Sequence, residues 1–277
     1  NYGTVCDVGE ELAKSQLGTH TYKEYVEAYM RNIPLDYYSM TSFFHQFPEN
    51  KLLIAYMYRN YAEVAELCRE NGRGIWSAGQ VNSYEHRRMS VDMMRFQAFF
   101  TMCFGTEVQM WSCWAGGWWG DQVLNADGSK SERYDWVKTV DREIKTIAER
   151  YMKYRNVATY FAGYKGTMWL DYGNLPSTDS VSTGFFKDVR ATDGKPLVVG
   201  DMVARDGSGG HALLVFLSDD PHDEKPCERT VEFRLGVEGA VPMVTGMDGP
   251  VTPTASADGM FSLKLKSNRA AFIEYKR

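Results

Sequence analysis

The sequence predicts an α/β region over residues 1–154 followed by an all-β region over residues 155–277. Three observations carry this. Up to about residue 155 a strand-like run, a loop and a helix-like run recur three times, and repeated βα units pair their strands in parallel, with functional loops at the strands' C-terminal ends. Beyond Val157 the chain changes to short β-rich runs separated by turn signals, the pattern of an antiparallel sandwich. The 277 residues, 44% hydrophobic and 24% charged, suffice for one large domain or two ordinary ones whose core needs no staples.

In the first region Tyr22, Tyr25, Val26, Tyr29 and Met30 stand at helical spacing behind Thr19 or Thr21 as N-cap, and the run stops before Pro34. Leu35 to Met40 reads as a short strand. A loop through Pro48 leads to a second helix from about Lys51 to Glu70, closed by Asn71-Gly72. Gly74 to Ala78 is the next strand, Ser90 opens a helix with Met93, Met94 and Phe96 to Phe100, and Thr106 to Trp111 is the third strand. Val137, Val140, Ile144, Ile147, Tyr151 and Tyr154 keep 3-4-3-4-3 spacing and define the last helix. In the second region strands are expected at Val157–Phe161, Met168–Tyr172, Pro196–Ala204, Ala212–Leu217, Thr230–Leu235, Val241–Val244, Phe261–Leu265 and Ala271–Tyr275. Asp206-Gly207, Asp248-Gly249 and Asp258-Gly259 supply turns between several of them.

Composition excludes whole classes of function. The net charge is −5 and no Lys/Arg cluster is longer than Arg87-Arg88, so a nucleic-acid partner is not expected. The apolar runs Leu52 to Tyr58 and Ala212 to Leu217 are too short for a membrane span. Five Cys (Cys6, Cys68, Cys103, Cys113, Cys227) contain no C-x-x-C pair, so buried free thiols are expected rather than a disulfide framework or a zinc site. The five His lack any H-E-x-x-H spacing, and no P-loop or G-x-S-x-G pattern occurs, so neither a metal nor a cofactor is expected. Asn125, Asp127 and Gly128 suggest a calcium loop, but the first ligand position is Val123 and the twelfth is Tyr134, which leaves a turn. Aromatic residues make up 14%, with seven Trp and seventeen Tyr, more amphipathic rings than core packing asks for and a pointer to a sugar or peptide surface. The chain begins with Asn1 and no apolar leader follows, so its start is expected to be a processed or truncated end.

Four segments in order carry a resemblance to a family: Thr21 to Tyr38, the strand ending near Trp76, Phe104-Gly105-Thr106-Glu107-Val108-Gln109-Met110-Trp111, and the loop Val123 to Gly128 followed by Tyr134. Together they resemble the last part of bacterial β-galactosidase-like glycoside hydrolases, in which a (β/α)8 barrel precedes a β-sandwich. The resemblance implies that the three strands match barrel strands six, seven and eight. Pro196 to Val203 with Ala212 to Phe216 is similar to the sandwich's central hairpin. It also implies an acid/base Glu after strand four and a nucleophile Glu after strand seven, since retaining chemistry needs two carboxyls about 5–5.5 Å apart. The chain has no strand four, and Gln80 stands at the end of the strand-seven equivalent, where a carboxamide binds a hydroxyl but attacks no anomeric carbon.

The candidate site residues follow from this placement. Glu85, the nearest carboxylate, reads either as a catalytic group reaching back into a cleft or as a solvated loop residue beside His86 and Arg87. Gln80 and Asn82 are candidate hydroxyl ligands. Trp76, Trp111 and Trp114 lie on or past strand ends and serve either to stack on a sugar ring or to pack the core. Trp118 and Trp119 sit in a Gly-rich loop that cannot easily bury both, and Asp121 after them binds hydroxyls, acts as a second carboxylate or caps the loop. The βα phase puts Trp76, Trp114 and Trp118 or Trp119 on one concave surface at the strands' C-terminal ends.

The expected function is that of a glycoside hydrolase-like protein acting on β-linked sugars, with carbohydrate as partner and a periplasmic or extracellular bacterial setting. The alternative is a non-catalytic carbohydrate-binding protein with a degenerate barrel, and a third reading is a structural module of a larger assembly. Three parallel strands leave Tyr37, Ile75 and Val108 or their neighbours on an uncovered inner face, so an N-terminal barrel half or a partner chain is expected to complete the sheet.

Overall fold

A computed structural model of the chain describes residues 18–41, 51–83, 88–116, 120–164, 175–219 and 227–276. Its contacts divide it into two compact units. The first comprises Asn1–Met89, Phe104–Tyr134 and Thr167–Leu175, the second Ser90–Cys103, Asp135–Gly166 and Pro176–Arg277.

In the first unit, helix α1 (Tyr22–Asn32) starts at Thr21, whose hydroxyl accepts from the Glu24 amide while the Glu24 carboxylate accepts from the Thr21 amide at 3.1 Å, a reciprocal capping box. Helix α2 (Lys51–Glu70) ends before Gly72, which takes a φ of +63° that a side chain disfavours. Strands β1 (Tyr37–Thr41), β2 (Gly74–Gln80) and β3 (Thr106–Ser112) form a parallel sheet in the order β1-β2-β3, as the βα repeat predicts. Among the described residues this sheet has three strands.

Strand alternation gives this sheet two unlike faces. Tyr38, Met40, Ile75 and Ser77 are buried on one, where the Tyr38 ring meets Tyr29 of α1 edge to face at 5.3 Å and Ser77 shares a 2.8 Å hydrogen bond with the Tyr61 hydroxyl of α2. Tyr37, Trp76, Ala78, Val108 and Met110 lie half-buried on the other, beside exposed Ser39. Ile75 therefore belongs to the helix-covered face, contrary to expectation, because it is one residue out of phase with Trp76. Strand β2 also runs two residues past Ala78 to Gln80. A Cβ at Gly79 would come within 2.7 Å of the Gln109 Nε2 and 2.9 Å of the Trp111 ring, so glycine is what lets these neighbours close in.

The second unit has three layers. A six-stranded sheet in the order β10-β9-β13-β7-β6-β4 packs one face on a four-stranded sheet, β11-β12-β8-β5. The strands are β4 (Tyr154–Ala162), β5 (Phe186–Ala191), β6 (Leu197–Ala204), β7 (His211–Leu217), β8 (Glu228–Leu235), β9 (Val241–Gly246), β10 (Gly249–Val251), β11 (Thr254–Ala255), β12 (Phe261–Lys266) and β13 (Ala270–Lys276). Between the sheets lie Leu197, Val199, Leu213, Val215, Phe233, Leu263 and Ile273 among others. The other face of the larger sheet meets α3 (Val91–Met102) and α4 (Glu132–Tyr151): Phe96 packs on Phe216 at 5.5 Å, Tyr151 on Phe272 at 6.1 Å, and the Arg150 guanidinium grips Glu274 through two hydrogen bonds. A Cβ at Gly200 would stand 2.6 Å from the Cys103 carbonyl oxygen, so this layer contact also needs glycine.

Three sequence expectations are corrected. The last helix stops at Tyr151, and Tyr154 opens β4 instead. Its hydroxyl donates to Glu274 at 2.7 Å and its ring lies on Phe272, so the residue is drawn into the same buried layer that a helical turn would have reached. Strand β5 is missed by its sequence because Asp188, at φ +55°, interrupts its pairing with β8 and breaks the alternation. The short strands β10 and β11 are likewise not anticipated. Met168–Tyr172 lies outside the described residues.

Candidate functional site

The C-terminal ends of β2 and β3 are tied together. The Val81 amide donates to the Ser112 carbonyl at 2.9 Å, and Ser83 bridges to Gly120. Gln80 is buried, and its Nε2 donates to the Asn82 carbonyl at 2.8 Å, which folds the chain back directly after the strand. Asn82 is 0% exposed, and among the described residues neither end of its carboxamide has a hydrogen-bond partner. A buried amide left unpaired costs about 1–3 kcal/mol. Such a group calls for an explanation.

Around this point a buried guanidinium organises both loops. Arg133 donates to the Ser83 hydroxyl at 3.1 Å and to the Asp121 carboxylate at 3.0 Å, and Ser83 accepts in turn from the Met89 amide at 3.2 Å. Sequence reasoning passed over Arg133 and Ser83. A signal existed: Arg133 stands in the first turn of α4, where the helix dipole disfavours a cation, so a specific acidic partner had to hold it there. Asp121, at φ +60°, spends its carboxylate on that ion pair, which makes it a loop anchor. It is the first carboxylate after β3, as Glu85 is after β2.

Among the described residues, Trp76 and Trp111 do not share a surface. Trp76 is four residues upstream of Gln80, about 13 Å along the strand, and stacks flat on Tyr37 with centroids 3.8 Å apart. It therefore sits low on the open face rather than at the strand end. Trp111 pairs in register with Gly79, and Trp76 pairs with Val108, so alternation puts the two indoles on opposite faces. Trp114 lies past β3, 48% exposed, edge to face with Tyr134 at 6.0 Å, and the Lys130 ammonium stands 4.2 Å over the same Tyr134 ring. Glu85, Trp118 and Trp119 lie outside the described residues.

Asn125 to Ser129 is a turn, with the Gly128 amide donating to the Asn125 carbonyl and the Ser129 amide to the Asp127 carboxylate. Hydrogen bonds from Ser129 hold that carboxyl below the usual range. Among the described residues no group of three His, Cys, Asp or Glu side chains converges, and none of the described helices is long and apolar enough to cross a membrane. Cys68 and Cys103 are buried free thiols, and burial pushes the Cys68 thiol up to about 12. Cys227 is exposed and Cys113 intermediate, so burial does not extend to every cysteine.

No protein-family model matches the sequence, and no curated protein matches it. Among solved structures, the chain is similar to the glycoside hydrolase family 30 subfamily 8 xylanase from Clostridium acetobutylicum, with a TM-score of 0.36 and 11% identity over 92% of this chain and 59% of that one. It is similar also to a GH30 endoxylanase from Clostridium papyrosolvens, with a TM-score of 0.36 and 10% identity over 97% of this chain and 71% of that one. The chain thus spans about three-fifths of the length of the first of these proteins.

Proposed function

We propose that this chain is a glycoside hydrolase-like protein that holds carbohydrate, of the β-linked class, at the C-terminal edge of β1, β2 and β3. The observation that carries the reading is Asn82: a wholly buried carboxamide with no hydrogen-bond partner among the described residues, beside Gln80, at the end of a parallel strand. One carboxamide offers a donor and an acceptor together, which matches the hydroxyl pairs of a sugar ring, and parallel βα sheets place their ligands at this edge. The half-exposed face of Tyr37, Trp76, Val108 and Met110 supports reading the three strands as the last of a barrel. An N-terminal half or a partner chain supplies the remaining strands, and the setting is periplasmic or extracellular.

A second reading is favoured by one residue. Gln80 stands where the family resemblance puts the nucleophile, so the chain binds glycans without cleaving them. Two assays separate the readings: hydrolysis of a panel of aryl β-glycosides, and binding to a glycan array. Turnover abolished by Glu85→Gln supports the enzyme, and array binding without turnover supports the degenerate site. Absence of both contradicts the carbohydrate proposal.

A further inference from the structure

Asp201 lies on β6, between β4 and β7, in the second unit. Its side chain shares the inter-sheet face with Leu197 and Val199 of its own strand and with Leu213, its partner in register on β7, all three fully buried in the sandwich core. Asp201 is 9% exposed, and among the described residues its Oδ1 has no hydrogen-bond partner. Removing a carboxylate from water with little hydrogen bonding and no counter-charge in return favours the protonated acid.

Among the described residues the surrounding elements offer no compensating charge. On β4 the nearest charged position is exposed Arg155, in register with Val203. On β7 it is His211, also in register with Val203 and stacked on Phe185 at 3.6 Å, and on β13 Tyr275 stacks on the same Phe185. The core positions of the facing β5 and β8 are Phe186, Val189, Val231 and Phe233. Burial raises the Asp201 carboxyl to about 6, opposed only by a hydrogen bond involving the Met202 backbone. Burial lowers His211 below the ordinary imidazole value, so that residue acts in the opposite sense.

We propose that Asp201 makes the sandwich unit a pH-sensitive element, firmest in mildly acidic medium with this carboxyl protonated and loosened when it ionises in the core. The sign follows from linkage. The folded state holds the proton more tightly than the unfolded chain, whose Asp titrates near 3.9. The contribution is therefore fully present below about pH 4, falls as pH rises through about 6, and is constant beyond.

Urea unfolding of the full chain and of Asp201→Asn, at intervals from pH 4 to pH 8, tests this. The two proteins are expected to be alike near pH 4, with the variant gaining over the wild type up to roughly 100-fold in its folding equilibrium constant above pH 7. The paired difference isolates Asp201 from His211 and every other titrating group. A variant with no pH-dependent gain overturns the proposal. If Asp201→Asn does not fold, infrared titration of the wild type decides: loss of a protonated-carboxyl band with a midpoint near 6 is expected, and no such carboxyl above pH 5 overturns it.

Discussion

The six-stranded sheet of the second unit is covered on both faces, by the four-stranded sheet on one side and by α3 and α4 on the other. The parallel sheet of the first unit is covered by α1 and α2 on one face and leaves half-exposed side chains on the other. The sequences record the difference. Leu197 to Met202 and Ala212 to Leu217 are buried without interruption, whereas β1 alternates buried and exposed residue by residue. Their buried polar groups differ as well. In the second unit Arg95 makes two hydrogen bonds to Glu143, at 2.6 and 2.8 Å, and a third to Asp92, which also pairs with Arg269 at 3.5 Å. In the first unit the buried carboxamide of Asn82 has no hydrogen-bond partner among the described residues. The contrast is one of degree, since the second unit also holds a buried group, the Asp201 carboxyl, whose Oδ1 has no hydrogen-bond partner among the described residues, and each such group calls for an explanation.

The largest effect that would break this comparison is expected at Glu143. Replacement by Gln leaves a buried guanidinium without its bidentate carboxylate, and loss of about 3–5 kcal/mol is expected on urea unfolding. A loss below about 1 kcal/mol would show that the charged network is not what fixes α3 to α4. Next comes a matched pair of truncations. Phe272→Ala, fully buried between the rings of Tyr151 and Tyr154, should cost about 3–5 kcal/mol, and Val108→Ala on the open face well under 1.5 kcal/mol. Equal costs would mean that the parallel sheet is as fully covered as the sandwich. A smaller effect of opposite sign sharpens the contrast: Asn82→Leu removes an unpaired buried amide, so thermal unfolding should shift upward, by the equivalent of about 1–3 kcal/mol at most. A downward shift would reveal a partner for the carboxamide in the folded protein.

Much of the fold was legible because periodicity is a local signal. The strand–helix alternation, the Thr21 cap and the Lys51–Glu70 helix follow from residues within a few turns of one another. What escaped depends on distant neighbours. Tyr154 keeps helical phase yet joins a strand, because Glu274, far along the chain, takes its hydroxyl. Strand β5 hides behind Asp188, and the role of Asp121 rests on Arg133, which composition cannot pair with it. Of the candidate site residues, the sequence placed Gln80 at the end of its strand, and Gln80 and Asn82 are both buried there. The indoles were not legible: Trp76 and Trp111 look alike in sequence, and only register puts them on opposite faces of one sheet.

The measurement that bears most directly on the central claim is saccharide affinity at Asn82. Calorimetric titration of the tightest glycan-array ligand into the wild type and into Asn82→Leu is predicted to show at least a tenfold weaker variant, about 1.4 kcal/mol, while the variant stays folded. Equal affinity for the two proteins would contradict a carbohydrate site at the end of β2.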